Sequence, residues 1–269
     1  MSTEVTAGPQ GPIRAASTAA GGTALSTTAA FIQLPRVTRH LEMIPRNFLT
    51  AVVYQVAYNP FLLVFKTADS LATAPTDSSW AMQDGSTATT LVLNDFDVAA
   101  NGNFIYVFSH QMFRGARAIV GNTNSTVSAL TVKYWDGGAW ADISASDGTQ
   151  TGGDTTFGQS GNVTWTVPTD WARVSLVDAG DTSLPGALFR QPYYLTRWEV
   201  SVQLDASVTL TGLVAMNRST AYAEYLSGLA KELQIHHGPG GIGCIEALVD
   251  AGSGNLIVNA AAAYGGDFV

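Results

Sequence analysis

The chain has 269 residues, 46% of them hydrophobic, which is enough for one large β domain with arms or for two small domains. Its net charge of −8 excludes a general binder of nucleic acid. No run of about 18 apolar residues occurs, so the sequence predicts no membrane-spanning helix. Only 13% of the residues are charged, against about 25% in typical soluble domains. We therefore expect much of the surface to lie against other subunits.

The first 50 residues are mildly basic, whereas the rest of the chain is acidic. Four arginines and two glutamates give this segment a net charge of +2, so the remaining residues contribute −10 to the total of −8. A basic arm that docks on an acidic neighbour explains this distribution, and so does chance. The one cysteine, Cys244, allows no intrachain disulfide. The lack of an apolar stretch after Met1 predicts that there is no signal peptide.

Residues 1–30 are almost all small or polar. They have too little large apolar surface to offset the entropy cost of ordering by themselves. Short apolar pieces punctuated by Pro35 and Pro45 follow, and they predict extended segments. We expect residues 1–45 to form an extended arm that neighbouring chains hold in place. The alternative is an arm that lies on its own domain.

Strand-like segments come next in the chain. Residues 48–65 predict two strands with a turn at Asn59 and Pro60. Residues 90–93 and 104–108 predict two more strands with a turn at Asn101 and Gly102 between them.

Residues 127–143 form the clearest predicted hairpin. Residues 127–135 alternate as a strand does, Asp136 and Gly137 form a tight turn, and residues 139–143 resume the pattern. Successive side chains of a strand point to opposite faces, so we expect one of Tyr134 and Trp135 in the core and the other exposed or at an interface. A long polar loop then leads to a further strand at residues 161–167.

Residues 193–204 alternate between an aromatic face and a mostly polar one, which predicts a half-buried strand. We expect residues 208–214 to pair with it through a turn at Asp205. Residues 220–232 fit a helix and a strand equally well. Residues 242–249 and 256–258 predict a closing hairpin.

These elements predict an all-β protein. The expected architecture is a β-sandwich or jelly roll with an extended N-terminal arm and a C-terminal β-hairpin segment, and a barrel is the second choice. The predicted division of the chain is an arm at 1–45, a sandwich at 46–235 with parts at 46–124 and 125–215, and a C-terminal hairpin and tail at 236–269.

No motif predicts a catalytic residue, a cofactor site or a metal site. His236 and His237 are adjacent, so in a strand they would point to opposite faces and could not easily bind one metal ion. Residues 238–243 match G-x-G-x-x-G, but the βαβ unit that a dinucleotide site needs cannot be identified around them.

Two other groups of residues have simple structural interpretations. Asp142, Asp147 and Asp154 lie in or beside a loop rich in glycine and threonine, without the spacing of an EF-hand, and we interpret them as solvated turn residues. The six tryptophans fit core packing, which is the default, or a platform on which a sugar stacks.

Residues 130–140, 161–168, Trp171 and residues 193–204 resemble a β-sandwich module that recurs in virion structural proteins of tailed bacteriophages. The resemblance covers about residues 125–215, and it consists of strand and turn residues. It implies an assembly role with no catalytic residues and no cofactor. It also implies synthesis in the bacterial host cytoplasm and a place in the virion. The implied partners are copies of the chain and other virion proteins, the major capsid protein among them, with no direct contact to nucleic acid or a membrane.

The leading hypothesis is therefore a capsid decoration or cement protein whose arm bridges subunits. A tail or neck component is the alternative in the same class. A carbohydrate-binding module for host attachment, with an exposed tryptophan as its platform, is the alternative from another class, and a hydrolase comes third. The predicted inter-subunit contacts are apolar arm anchors and arginines that pair with acidic neighbours: Phe31, Ile32, Leu34, Arg36, Arg39, Leu41, Met43, Ile44 and Arg46.

Overall fold

The computed structural model describes residues 14–15, 22–34, 38–46, 53–179, 184, 186–219, 222–226, 229, 231–234 and 242–262. These residues form an all-β structure of antiparallel sheets, as the sequence predicts. Helix is limited, in the described part, to a 3₁₀ turn at Ala99–Asn101 and the short α1 at Ala187–Arg190.

The strands are numbered here in chain order. They are β1 (Arg14–Ala15), β2 (Thr23–Leu25), β3 (Ala30–Gln33), β4 (Thr38–Arg46), β5 (Val53–Pro60), β6 (Leu63–Thr67), β7 (Thr76–Asp77), β8 (Leu91–Val92), β9 (Phe104–Ser109), β10 (Phe113–Val120), β11 (Leu130–Trp135), β12 (Trp140–Asp142), β13 (Ser146–Asp147), β14 (Gly161–Thr164), β15 (Arg173–Val174), β16 (Tyr193–Val200), β17 (Thr209–Asn217), β18 (Ala223–Leu226), β19 (Lys231–Gln234), β20 (Ile242–Val249) and β21 (Gly254–Ala262).

The chain divides into two compact units. Unit 1 comprises Met1–Tyr58 and Ala221–Val269, and unit 2 comprises Asn59–Thr220. These boundaries differ from the predicted division at residues 45 and 235. The reason is that the two ends of the chain pair with each other: β1 and β4 pair with β21, and β3 pairs with β20.

Unit 2 is built from two facing sheets. One sheet has the order β12-β11-β16-β9-β6-β7, with β15 also on β16, and the other has the order β13-β14-β10-β17-β8. A single cluster of buried side chains lies between them. It includes Val107 and Trp198 from the first sheet and Ala116 and Leu213 from the second. Because both sheets turn one face into the same core, unit 2 is a β-sandwich.

The first sheet of unit 2 also buries side chains on its outer face. Phe65, Tyr106, Phe108 and Leu195 point outward and form a second apolar cluster. Residues 174–179, Leu184 and part of α1 pack over this cluster. The central strand β9 is consequently buried at every position, which explains its continuous apolar sequence.

Unit 1 also has two sheets around one core. One has the order β1-β21-β4-β19, with β2 on the same edge of β21 as β1, and the other has the order β18-β5-β20-β3. Its buried side chains come from both chain ends, as the pairs Met43 and Val258 or Ile32 and Ile245 illustrate.

The predicted hairpin at residues 127–143 is confirmed. β11 pairs with β12, and Trp135 lies opposite Trp140 across the turn. Asp136 closes the turn because its Oδ1 accepts hydrogen bonds from the backbone N–H groups of Gly138 and Ala139, at 2.8 and 2.7 Å. Gly137 adopts φ +107°, a conformation that glycine reaches without a steric penalty.

Two predicted strand pairings are wrong, because in each a short connection crosses from one sheet to the other. β16 and β17 lie in different sheets of unit 2, although residues 193–204 and 208–214 were expected to pair. β20 and β21 do not form the closing hairpin, since β21 has β4 on one edge and β1 and β2 on the other. These pairings do not confirm the jelly-roll assignment.

Candidate ligand-binding face

The six tryptophans fall into two groups by burial. Trp165, Trp171 and Trp198 are 6%, 3% and 0% exposed. Core packing therefore accounts for these three, as the default interpretation expects. Trp80, Trp135 and Trp140 are half-buried, and a surface platform could use only these.

Two of the half-buried tryptophans stand together with charged residues on the outer face of the first sheet of unit 2. On β11 the alternation places Tyr134 against the inner core and Trp135 on the outer face, which confirms that the two rings face opposite ways. On β16 the same alternation places Trp198 inside and its two neighbours outside. We call the resulting group the outer-face cluster; its members are Lys133, Trp135, Trp140, Arg197 and Glu199.

An ionic network joins the three charged members of the cluster. Arg197 donates from Nε and Nη2 to Glu199 Oε1 at 2.8 and 2.7 Å, and Lys133 Nζ lies 3.0 Å from Glu199 Oε2. Lys133 and Arg197 are direct cross-strand partners, and two like charges in such a pair destabilise a sheet. Glu199 offsets that repulsion because it accepts from both cations.

Two aromatic rings contact the Arg197 guanidinium. Its Cζ lies 4.4 Å from the centroid of Phe104 and 4.8 Å from the centroid of Trp140, which is the range of a cation–π contact. Trp140 in turn packs edge to face against Trp135, at 5.6 Å and 79°. The indole N–H of Trp140 donates to Ala179 O at 3.3 Å. The guanidinium and the Trp140 ring are therefore fixed parts of the fold.

Lys133 and Trp135 are the members of the cluster whose hydrogen-bond donors are not all used by other described residues. The Lys133 side chain is 30% exposed, against 17% for Arg197 and 10% for Glu199. An ammonium group has three donors, and one of them is directed at Glu199. Among the residues that the structure describes, nothing accepts a hydrogen bond from the Trp135 indole N–H. Asp142 is the cross-strand partner of Lys133 on the same face, so the two cations of the cluster are balanced by two carboxylates.

This arrangement is suited to binding and not to a reaction. Both oxygens of Glu199 are engaged with cations, so the carboxylate is not poised to take a proton from a substrate. The cluster contains no nucleophile with an adjacent base. What it offers is an aromatic surface with hydrogen-bond donors beside it.

Four of the predicted inter-subunit contact residues lie inside unit 1. Ile32 and Leu34 are each 4% exposed, and Leu41 and Met43 are fully buried. They pack against side chains of β5, β20 and β21. A side chain without accessible surface cannot contact a neighbouring subunit in this fold, so these four residues are corrected to core residues of their own chain.

The other predicted contact residues have varied environments. Phe31 on β3 and Ile44 on β4 are half-buried, and Arg46 at the end of β4 is exposed. Arg39 belongs to β4, but its side chain lies outside the described residues, as does Arg36 altogether. The described parts of the predicted arm pair with strands of the same chain, which is the alternative stated for it.

The aspartates and histidines singled out in the sequence do not form a site in the described part of the chain. Asp142 Oδ1 accepts from Ser144 N, and Asp147 Oδ1 accepts from Thr149 N, which are local turn contacts. His110 packs on Tyr193, with ring centroids 4.2 Å apart. Burial, together with the charge of Arg173, lowers the pKa of His110. His236, His237 and most of residues 238–243 lie outside the described residues.

Sequence reasoning missed Lys133, Arg197 and Glu199 as members of a site. The available signal was the polar face of residues 193–204, on which Arg197 and Glu199 alternate with buried aromatics. In the sequence, that polar face cannot be distinguished from the ordinary solvent-exposed face of a strand. The pairing of β11 with β16 brings Lys133 to it, and this pairing cannot be inferred from either strand alone.

Comparison with known proteins does not identify a relative. No protein-family model matches the chain, and no curated protein or solved structure matches it. Among the described residues, no group of three or more His, Cys, Asp or Glu side chains could hold a metal ion. No helix in the described ranges has the length and hydrophobicity to cross a bilayer.

Proposed function

We propose that this chain is a non-enzymatic structural subunit of a bacteriophage particle, in the role of a capsid decoration protein. In this role it docks on other virion proteins and on copies of itself, and a tail or neck component is the alternative position. The resemblance of residues 125–215 and the 13% content of charged residues support an assembly role.

The observation that carries the proposal is a pair of edge strands in unit 1. β18 pairs with β5 at one end of its sheet, and β19 pairs with β4 at one end of the other sheet. Within the described residues, neither strand has a second neighbour. Leu229, in the connection between them, is 61% exposed. Edge strands present unpaired backbone donors and acceptors, and an added strand from a partner can satisfy them.

This observation changes how docking must be tested. Deletion of residues 1–45 would remove β3 and most of β4, together with the buried Ile32, Leu34, Leu41 and Met43. The core of unit 1 would be lost, so reduced incorporation into particles would report misfolding and not the loss of a docking arm.

A point substitution between the edge strands is a cleaner test. Leu229→Asp places a charge on the proposed contact, and Val127→Asp is the matched control because Val127, in unit 2, is 62% exposed. We expect Leu229→Asp to lower the amount of the protein in purified particles, measured by quantitative mass spectrometry, and Val127→Asp to leave it unchanged. Equal incorporation of both variants would refute docking through these edges.

A specific observation favours carbohydrate binding as a second function. Trp135 and Trp140 lie side by side on a half-exposed surface with charged groups next to them. Ligand sites combine apolar surface with a few well-placed polar groups, and the outer-face cluster has both. A glycan array probed with the full chain tests this function, and Trp135→Ala should abolish any signal that the cluster produces.

A further inference from the structure

We propose that the outer-face cluster binds a neutral saccharide, with Trp135 as the stacking surface and with Lys133 and Asp142 as joint partners of one sugar hydroxyl group. This inference rests on the second function proposed above, carbohydrate binding. It names the ligand class and adds Asp142 as a binding residue. Asp142 lies on β12 directly opposite Lys133 on β11, so the two side chains share one face of the sheet.

The charged groups of this face cancel one another. Lys133 is the cross-strand partner of both Asp142 and Arg197, so the three residues form a row across three neighbouring strands. Glu199 adds a second carboxylate, which contacts both cations. A ligand that carries a net charge would be attracted by one pair of groups and repelled by the other. The face therefore favours a ligand without net charge.

Asp142 and Lys133 each keep hydrogen-bonding capacity for a ligand. Asp142 is exposed, and its Oδ1 accepts from Ser144 N at 2.7 Å, whereas no donor among the described residues reaches Oδ2. Lys133 Nζ has three donors, one of which is directed at Glu199. In the described part of the chain, Lys133 and Asp142 form no ion pair with each other. An anionic acceptor and a cationic donor thus stand on neighbouring strands with capacity to spare.

A hydroxyl group is the ligand group that satisfies both of these side chains. Its oxygen can accept from Lys133 Nζ while its hydrogen is donated to Asp142 Oδ2. Both hydrogen bonds are charge-assisted, which makes them stronger than bonds between neutral groups. A ligand carboxylate has no proton to donate to Asp142, and a ligand ammonium has no lone pair to accept from Lys133. A charged substituent in this position would leave one of the two side chains unsatisfied.

Trp135 provides the apolar surface next to the charged row. It lies two residues after Lys133 on the same face of β11, and this spacing corresponds to about 7 Å along a strand. Trp140 braces its ring edge-on, and Trp140 is itself fixed by its hydrogen bond to Ala179 O. A ring held in this way loses little conformational entropy when a ligand stacks on it. A pyranose has a C–H face that packs on indole and a rim of hydroxyl groups that can reach the charged row.

The test is a titration of the full chain with trisaccharides that share the linkage of cellulose and differ in charge. The neutral probes are the trisaccharides of glucose, galactose and mannose, and the charged probes are those of glucuronic acid and glucosamine. The indole N–H signals of the six tryptophans in an NMR spectrum report the site, under mildly acidic conditions in which glucosamine is protonated. We expect at least one neutral probe to shift the Trp135 signal. It should bind on the order of tenfold more tightly than either charged probe.

Two substitutions that each remove one charge should change which sugar is preferred. Asp142→Asn leaves a positive face and should shift the preference to the glucuronic acid probe, whereas Lys133→Gln leaves a negative face and should shift it to glucosamine. Both new preferences should weaken as salt is raised. Asp170→Asn is the matched control, because Asp170 is exposed and accepts from Tyr134, whose side chain lies on the opposite face. It should leave the preference for the neutral probe unchanged.

A third substitution tests the stacking surface. Trp135→Ala should abolish binding of the neutral probe. Trp80→Ala is its control, because Trp80 is half-buried but lies outside the cluster. The dispersion of the remaining indole N–H signals checks that each variant is folded.

The outcomes separate the ligand class from carbohydrate binding itself. If a charged probe binds as tightly as the neutral ones and its binding is lost in Trp135→Ala, the neutral ligand class is wrong and carbohydrate binding stands. If none of the probes binds, both proposals are overturned. Binding that survives Trp135→Ala would show that the outer-face cluster is not the site.

Discussion

Unit 1 and unit 2 are both built from two sheets around one core, but they differ in how far apart along the chain their strands lie. In unit 1 the first described strand pairs with the last, as β1 does with β21. Unit 2 contains the hairpin of β11 and β12 and is formed by a single continuous stretch of chain. The closing of long loops costs entropy that local contacts do not. Unit 1 can therefore fold only when both ends of the chain are present, whereas unit 2 requires neither end.

The difference can be measured because the tryptophans report on one unit. All six lie between Trp80 and Trp198, within unit 2. Tryptophan fluorescence therefore follows the unfolding of unit 2, and hydrogen exchange at the amides of β21 follows unit 1.

The largest expected effect is on the core of unit 1. Met43 is fully buried between its sheets, and Met43→Ala should lower the stability of unit 1 by about 2–5 kcal/mol through lost burial and a residual cavity. We expect faster exchange at β21 amides and an unchanged denaturant midpoint by tryptophan fluorescence.

The reciprocal variant lies in unit 2. Leu213 is fully buried in its core, so Leu213→Ala should shift the fluorescence midpoint and leave exchange at β21 unchanged. If either variant moves both readouts by equal amounts, the chain unfolds as one cooperative body and the comparison between the units fails.

The same contrast explains how much of the fold could be predicted from the sequence. The hairpin around Asp136 was predictable because its strands, its turn residues and its register lie within a few residues of one another. The all-β class was predictable from alternation and from turn residues. The core role of Met43 was not, because its partner strand β21 lies at the other end of the chain.

The wrong pairings share a physical cause. A turn between two strands looks the same in sequence whether the second strand returns beside the first or crosses to the facing sheet. The connection from β20 to β21, with Gly252 at φ +66°, matches a hairpin turn but leads to a different sheet. The candidate site could not be predicted for the same reason, since Lys133 and Glu199 come together only through the pairing of β11 with β16.

A prediction of intermediate size tests the turn of the β11–β12 hairpin in unit 2. Gly137 adopts φ +107°, and a Cβ there would meet only the Ala172 Cβ at 3.6 Å, an ordinary contact. The cost of Gly137→Ala is therefore that of the backbone conformation, about 1–2 kcal/mol. We expect the fluorescence midpoint in urea to fall by the corresponding amount.

Gly138→Ala is the matched control for this turn. Gly138 lacks the left-handed conformation, and the nearest atom to an added Cβ is Asp136 Oδ1 at 3.8 Å. Its stability should stay close to that of the parent chain. If the two variants lose equal stability, the conformation of Gly137 is not what the turn depends on.

The smallest expected effect concerns the connection between β16 and β17, where the sequence predicts a hairpin. Asp205 does not close a hairpin; its carboxylate accepts from Ser125 N at 2.6 Å and from the hydroxyl groups of Ser125 and Thr126. These hydrogen bonds stabilise the charged form and lower the pKa of Asp205 to about 2. The connection between β16 and β17 is thus tied to the segment before β11.

The lowered pKa gives this tie a definite pH dependence. An unfolded aspartate has a pKa of about 4, so the contribution of Asp205 to stability is complete above pH 4 and is lost as the pH falls through 2. Asp205→Asn should flatten the decline of the urea midpoint between pH 4 and pH 2, followed by tryptophan fluorescence. The substitution should remove only part of this decline, since hydrogen bonds also lower the pKa of Asp69 and of Asp136. Thr126→Val, which removes one donor, should give a smaller change in the same direction. If the urea midpoint of both variants falls with pH as it does in the parent chain, the Asp205 carboxylate does not stabilise the connection between β16 and β17.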